Sequence, residues 1–210
     1  MDLKAEKSKL RKFFKKQRSD LSAMDARKLS QKISENFIQN LFPKIYSQHC
    51  KKTFSLYLNS DKEVESNFIA DYFIKNQIKF SYPKIIATNH ELEFIISDED
   101  QKFIASKFFP KIIEPREGTK ILPDIIILPL VAFDSDLSRL GLGGGFFDRT
   151  IECLKKQKSE IITIGLAFEF QRSHQPLPIE NSDQKLDFIV TEKTIFSRSY
   201  TAPNQTRKKT

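Results

Sequence analysis

The chain has 210 residues, 39% hydrophobic and 30% charged, with a formal net charge of +8, a composition that fits a globular protein with a sizeable core and excludes a disordered or fibrous one. No apolar run reaches the length of a membrane span, and the lysine-rich start lacks the apolar region of a secretory signal, so a cytoplasmic protein with no membrane partner is expected. Lysine is spread along the chain with no zinc-finger, RNP or aromatic–basic pattern, so the charge attracts anions in general and no nucleic-acid partner is expected.

Cys50 and Cys153 belong to no CxxC or Cys/His cluster, and His49, His90 and His174 are equally isolated. Reduced structural thiols and no zinc site follow.

In chain order, Lys4 to Arg18 alternates basic residues with Leu10, Phe13 and Phe14, which predicts a cationic amphipathic helix docked by one apolar stripe. Ser22 to Asp25 resembles a capping box, and Leu29, Ile33, Phe37 and Leu41 continue at helical spacing up to Pro43. Lys52–Asn59 alternates as a first strand, and Phe68, Ile69, Tyr72 and Phe73 mark a helix face. Ile78–Ile86 reads as a second strand interrupted at Pro83, and Glu91–Ser97 as a third. The first strand, the helix and the second strand have the spacing of a parallel βαβ unit.

Residues 98–122 are broken by Pro110, Pro115 and Gly118. IIILPLVAF, ending at Phe133, has the continuous apolar character of a central strand covered on both faces. Ile161–Phe168 is another such strand and Leu186–Thr191 reads as the last. No internal repeat is present. The expected fold is α/β, a three-layer sandwich with a mainly parallel central sheet flanked by helices. It forms one domain over residues 1–200, with residues 1–46 an N-terminal helical extension packed on it and 201–210 a disordered basic tail.

Arg139–Arg149, RLGLGGGFFDR, holds four of the six glycines, Gly141, Gly143, Gly144 and Gly145. It lies between the strand ending near Asp134 and a helix marked by Phe147, Ile151 and Leu154. Glycines at that place turn several N–H groups toward one point, and the helix N-terminus adds more, so the loop is a cradle for an anion, most plausibly phosphate. A tight connection with glycines for turn geometry alone is the competing reading. The loop lacks the Lys-Ser or Lys-Thr of a Walker A motif, and Phe146 occupies the last position of GxGxxG, so both common nucleotide patterns are excluded.

LPLVAFD followed by RLGLGGGFFDR resembles the signature of the 5-formyltetrahydrofolate cyclo-ligase family, close to PxxAFDxxGxRLGxGxGYYDR. KSKLR, LYLNSDKEVES, IIEP, GLAFEFQ and LPIENSDQKLDFIVT are similar to further family segments in the same order. The resemblance implies an ATP-dependent ligase converting 5-formyltetrahydrofolate to 5,10-methenyltetrahydrofolate with release of ADP and phosphate. The formyl oxygen takes the γ-phosphoryl group and N10 closes the ring as phosphate leaves, a step that asks mainly for positioning and charge neutralisation.

By position, Lys7, Ser8, Lys9, Leu10 and Arg11 match the family's ATP-contacting helix, and Arg11 also matches a folate contact. Arg139, Leu140, Gly141, Leu142, Gly143, Gly144, Gly145, Phe146 and Phe147 match the ATP loop, of which Leu142 to Phe146 also match folate contacts. Leu58 and Glu63 match folate-binding positions, and Asp148 and Asp183 match ligands of Mg²⁺, which suits hard carboxylate oxygens. Arg139 and Asp148 are expected to carry the chemistry. The implied partner is 5-formyltetrahydrofolate, polyglutamylated or not, acted on by a monomer.

Two departures from the pattern stand out. Leu137 replaces the usual Gly, so the turn after Asp134 either differs or bends at another residue. Phe146 and Phe147 replace two tyrosines, which keeps stacking and removes two hydroxyls. A folate- or nucleic-acid-binding protein without catalysis, and a sugar-phosphate isomerase or acyl-transfer enzyme on a related scaffold, are the alternatives.

Overall fold

The computed structural model describes residues 2–46, 52–60, 62–98, 101–158 and 160–198. His49, Cys50 and the expected tail 201–210 lie outside the described residues. Seven strands form one sheet in the order β11-β10-β9-β6-β1-β2-β3. They are β1 (Phe54–Ser55), β2 (Phe80–Ile85), β3 (Leu92–Ile96), β6 (Ile125–Pro129), β9 (Ile162–Leu166), β10 (Phe188–Val190) and β11 (Ile195–Ser197). The five inner strands run parallel, and the two edge strands, β3 and β11, are antiparallel to their neighbours.

Alternation along the buried strands sorts side chains into two layers. Ile125 and Ile127 of β6 face a core completed by Ile33 and Phe37 of the N-terminal helices and by Phe73 of α4 (Asn67–Lys75). Ile126 and Leu128 face the opposite core, with Ile151 and Leu154 of α5 (Phe146–Gln157). Helices therefore cover both faces, as the near-continuous apolar strands required. On the first face β1 is short but anchored by Phe54, whose ring centroid lies 4.6 Å from that of Phe73.

Helix α1 (Leu3–Ser19) and helix α2 (Ala23–Asn36) form as expected, the latter capped by the Ser22 hydroxyl, which accepts from Asp25 N at 3.0 Å. The helical path does not stop at Pro43. A π-turn over Phe37–Leu41 leads into α3 (Phe42–Ile45), and a wide turn there accommodates a residue with no N–H whose ring collides with the carbonyl four residues back. Nor does Pro83 interrupt β2. Ser81, Pro83 and Ile85 present their backbone groups away from β3, and β1 has already ended, so the missing N–H breaks no ladder bond.

Three further expectations are corrected. IIILPLVAF is not one strand: β6 ends at Pro129, and Ala132–Phe133 forms a separate β7 paired with β8 (Arg139–Leu140). The break is held by Gln171, whose side-chain amide donates to the carbonyls of Leu130 and Val131 at 2.8 and 2.9 Å. The region 98–122 contains an antiparallel pair, β4 (Phe103–Ala105) and β5 (Ile113–Pro115). Leu186–Thr191 is followed by one more strand, β11.

The β7–β8 hairpin turns around the buried Asp134 carboxylate, which accepts from the N–H groups of Asp136, Ser138 and Leu177 at 2.9, 3.0 and 2.9 Å. Leu137, in place of the family's glycine, keeps the bend itself, with a left-handed φ of 59°. Its side chain is 2% exposed and packs in the second core, which offsets the backbone strain. Cys153 is a free thiol.

Leu137→Ala keeps the strained backbone and removes the packing, at a cost of about 2–5 kcal/mol. Leu137→Gly removes the same packing and relieves about 1–2 kcal/mol of strain, so the glycine variant is expected to be the more stable of the two. Urea unfolding decides, and a glycine variant no more stable than the alanine one would remove the strain account.

Candidate active site

The parallel sheet reverses its winding between β1 and β6, the place where an open α/β sheet leaves a crevice beyond its strand ends. A cavity of about 510 Å³ opens there, lined by Tyr57 and Leu58 after β1 and by Pro129, Leu130 and Val131 at the end of β6. Its volume lies in the range of about 300–1,000 Å³ usual for small-molecule sites. The glycine loop, α1 and the segment carrying Glu180 and Asp183 close its sides.

Gly141 to Gly145 lead from β8 into α5, with Gly143 at φ 105° and Gly145, the residue before the helix, at φ 65°. A Cβ on Gly145 would meet only the movable end of the Arg149 side chain, so it is the left-handed φ that favours glycine there. Helix α5 begins with no capping side-chain hydrogen bond, at the place where the sequence predicts an anion cradle. The phenylalanines are placed differently from bare stackers: the Phe146 ring sits edge-on to Phe109 at 5.7 Å and under the Arg149 guanidinium at 5.1 Å.

Lys7 and Arg11 reach the cavity from one face of α1. Arg11 Nε donates to the Gly141 carbonyl at 2.9 Å, fastening the helix to the loop. Lys7 is buried, with Nζ 2.5 Å from Asp183 Oδ2 and 3.1 Å from Glu180 Oε2. Burial, the largest single effect, lowers its pKa, but hydrogen bonds and charge from Asp183 and Glu180 together outweigh it and hold the amine above its ordinary value. Ser8 and Lys9 are exposed, Leu10 packs toward the β7–β8 hairpin, and these three do not line the cavity. Phe13, expected in the docking stripe, is 56% exposed. The buried residues of α1 are Lys7, Phe14 and Arg18, because partners waiting across the groove make burial of charge possible.

Arg139 belongs to β8 rather than to the loop, and it is buried. One guanidinium nitrogen lies 2.9 Å from Asp148 Oδ1 and another donates to the Gln184 carbonyl. Gln184 N donates to the same Asp148 oxygen at 2.9 Å. Asp148 and Asp183 are thus brought to one cavity through Gln184, the residue after Asp183. Among the described residues these bonds engage Oδ1 of Asp148 and Oδ2 of Asp183, leaving the other oxygen of each for a cation. No group of three or more His, Cys, Asp or Glu side chains that could hold a metal ion occurs among the described residues; two carboxylates alone would suit a hard divalent ion that takes the rest of its shell from phosphate and water.

Leu58 and Glu63 line the opposite wall. Glu63 is buried, and its Oε2 accepts from the N–H and hydroxyl of Ser60 at 3.0 and 3.2 Å. Several polar lining residues escaped the sequence reading, among them Tyr57, Glu180 and Glu114. All three lie inside the family-like segments without a role, and Glu114 is buried with Oε2 accepting from Ile85 N at 3.1 Å.

The sequence model of the 5-formyltetrahydrofolate cyclo-ligase family matches residues 3–192. The chain belongs to that family. Among similar cyclo-ligases, the 5-formyltetrahydrofolate cyclo-ligase of Mycoplasma pneumoniae is 31% identical over 188 residues, covering 89% of this chain and 99% of the relative. The solved structure of a 5,10-methenyltetrahydrofolate synthetase from the same organism superposes with a TM-score of 0.68 at 30% identity, covering 91% and 99% of the two chains. The NMR structure of the Aquifex aeolicus 5,10-methenyltetrahydrofolate synthetase gives 0.73 at 27% identity, covering 97% and 99%. Cyclo-ligase membership and the mainly parallel sheet agree with the expectations from the glycine signature.

The raised pKa of Lys7 sets a pH window. Because the folded value exceeds the unfolded one, the stabilisation from its ion pairs is fully present below about pH 10 and fades as pH rises through the folded value. Urea midpoints of the wild type and Lys7→Met should differ by a constant amount from neutral pH to about 10 and converge above that. A difference that instead shrank toward acid would contradict the sign.

Proposed function

We propose that the chain is an ATP- and Mg²⁺-dependent ligase that converts 5-formyltetrahydrofolate to 5,10-methenyltetrahydrofolate, with ADP and phosphate as co-products. It works as a monomer in the cytoplasm, on folate with or without a polyglutamate tail. The observation that carries this reading is convergence: the basic face of α1, the glycine loop, two carboxylates and the buried Glu63 line one cavity although they come from distant parts of the chain.

The roles follow from chemistry at each position. The glycine loop and the α5 N-terminus hold the phosphates through backbone N–H groups, with Lys7, Arg11 and Arg139 offsetting their charge. Asp148 and Asp183 are the residues that would hold Mg²⁺, which would supply charge neutralisation for phosphoryl transfer. Glu63 accepts N–H groups of the pterin ring, and Leu58 and Leu142 cover its apolar surface. Leu142, 50% exposed at the cavity mouth, is an apolar contact of this kind. The formyl oxygen takes the γ-phosphoryl group as ADP leaves, and N10 then closes on the formyl carbon, giving up its proton to solvent as that oxygen leaves with phosphate. Phe146 and Phe147 supply walls without hydroxyls, so proton transfer here does not use them.

Purified protein should produce the methenyltetrahydrofolate absorbance from 5-formyltetrahydrofolate only when ATP and Mg²⁺ are both present, and folded protein without turnover would sink the proposal. Asp148→Asn should lower turnover by about a hundredfold or more. Because Arg139 is buried against it, the same change should also cost about 1–3 kcal/mol in urea unfolding. Full turnover in the variant would remove Asp148 from the site.

A further inference from the structure

Arg18 lies two helical turns beyond Arg11 on α1 and is 2% exposed, yet it does not line the cavity. A guanidinium does not shed its charge by deprotonation, so its burial calls for an anion nearby. One such anion is Glu63, itself 5% exposed, whose Oε1 lies 3.8 Å from Arg18 NH1. Glu63 does line the cavity. Its carboxylate is therefore held from two sides, Oε2 by Ser60 and Oε1 by a buried positive charge behind it. Burial first, and then the Glu63 charge, push the neighbouring Tyr57 phenol well above its ordinary pKa while Arg18 pulls it back.

We propose that Arg18 is a positioning residue for the folate substrate, keeping the Glu63 carboxylate ionised and oriented toward the cavity without touching the ligand itself. The proposal rests on reading Glu63 as the acceptor of the pterin N–H groups. A carboxylate this deeply buried takes up a proton when no cation is near, and the neutral acid turns one of its acceptor oxygens into a donor. Ser60 cannot substitute, since it engages one oxygen and brings no charge. One helix thereby reaches three parts of the cavity lining: Lys7 at Asp183 and Glu180, Arg11 at the glycine loop, and Arg18 at Glu63.

Calorimetric titration with 5-formyltetrahydrofolate in the absence of nucleotide, and separately with Mg·ATP, tests this on the full chain. Arg18→Gln should weaken folate binding about tenfold or more while leaving Mg·ATP within about twofold, a split that general loosening of the fold would not produce. Arg18→Lys, which restores the charge, should return folate binding to within about threefold of wild type. Glu63→Gln should weaken folate binding similarly, and Arg18→Gln should add nothing in its background. Glu63→Gln without effect would overturn the reading of Glu63 and this proposal with it. A loss in Glu63→Gln with none in Arg18→Gln would overturn the proposal alone, as would losses that add. Should Arg18→Gln not fold, the double variant, in which Glu63→Gln removes the buried negative charge, is expected to fold, and its failure to do so would also overturn the proposal.

Discussion

A buried carboxylate that accepts three backbone N–H groups, that of Asp134, holds the hairpin on which the rest of the site hangs. Its bonds to Asp136 and Ser138 close the turn, and its bond to Leu177 draws in the segment that later carries Glu180 and Asp183. The far strand of that hairpin then delivers Arg139 and, directly after it, the glycine loop. Leu137 adds a second tie, its carbonyl accepting from Leu186 N at 3.0 Å. Order in the loop is thus inherited from order in a turn that contacts no ligand. An ionised carboxylate saturated by N–H donors is a durable pivot, because each broken bond exposes a charge to a site water does not reach.

Around this pivot the site is assembled from opposite charges. Buried ion pairs are a poor source of stability, since desolvation consumes most of the attraction. Lys7 with Asp183 and Arg139 with Asp148 are better understood as means of placing carboxylates and cations side by side in one groove. Placing α1 against the hairpin takes little apolar surface, chiefly Phe14 and Leu10 against Val131, Ala132, Leu140 and Leu177. Most of the helix's specificity of position comes from Lys7, Arg11 and Arg18, each matched to a partner on a different segment.

The parallel inner strands were legible because burial on both faces forces continuous apolar runs, as at Ile125–Leu128 and Ile162–Leu166. The glycine loop was legible because few structures need four glycines between a strand and a helix. The division of IIILPLVAF was not, since nothing in an apolar run says where it leaves the sheet, and the decision is made by Gln171 from forty residues away. Pro83 misled because the cost of proline depends on which neighbour its missing N–H would face. The face of α1 misled for a related reason: hydrophobicity identifies Phe13 and Phe14 alike, whereas burial of Lys7 and Arg18 depends on acids remote in sequence. Family resemblance reached Lys7 and Arg11 but stopped short of Arg18.

The internal pairing of Lys7 and Arg139 has a kinetic side. A basic groove ordinarily gathers anions from a distance, but each of these cations lies within 3 Å of a carboxylate, so their fields largely cancel beyond a Debye length of roughly 8 Å. On the proposed reading, discrimination would then fall after encounter. A bare anion drawing Lys7 or Arg139 to itself would strand Asp183 or Asp148, whereas an anion arriving with its own divalent ion would satisfy both partners at once. Binding would be an exchange of pairs, and the groove would select its visitor by whether that exchange can be completed.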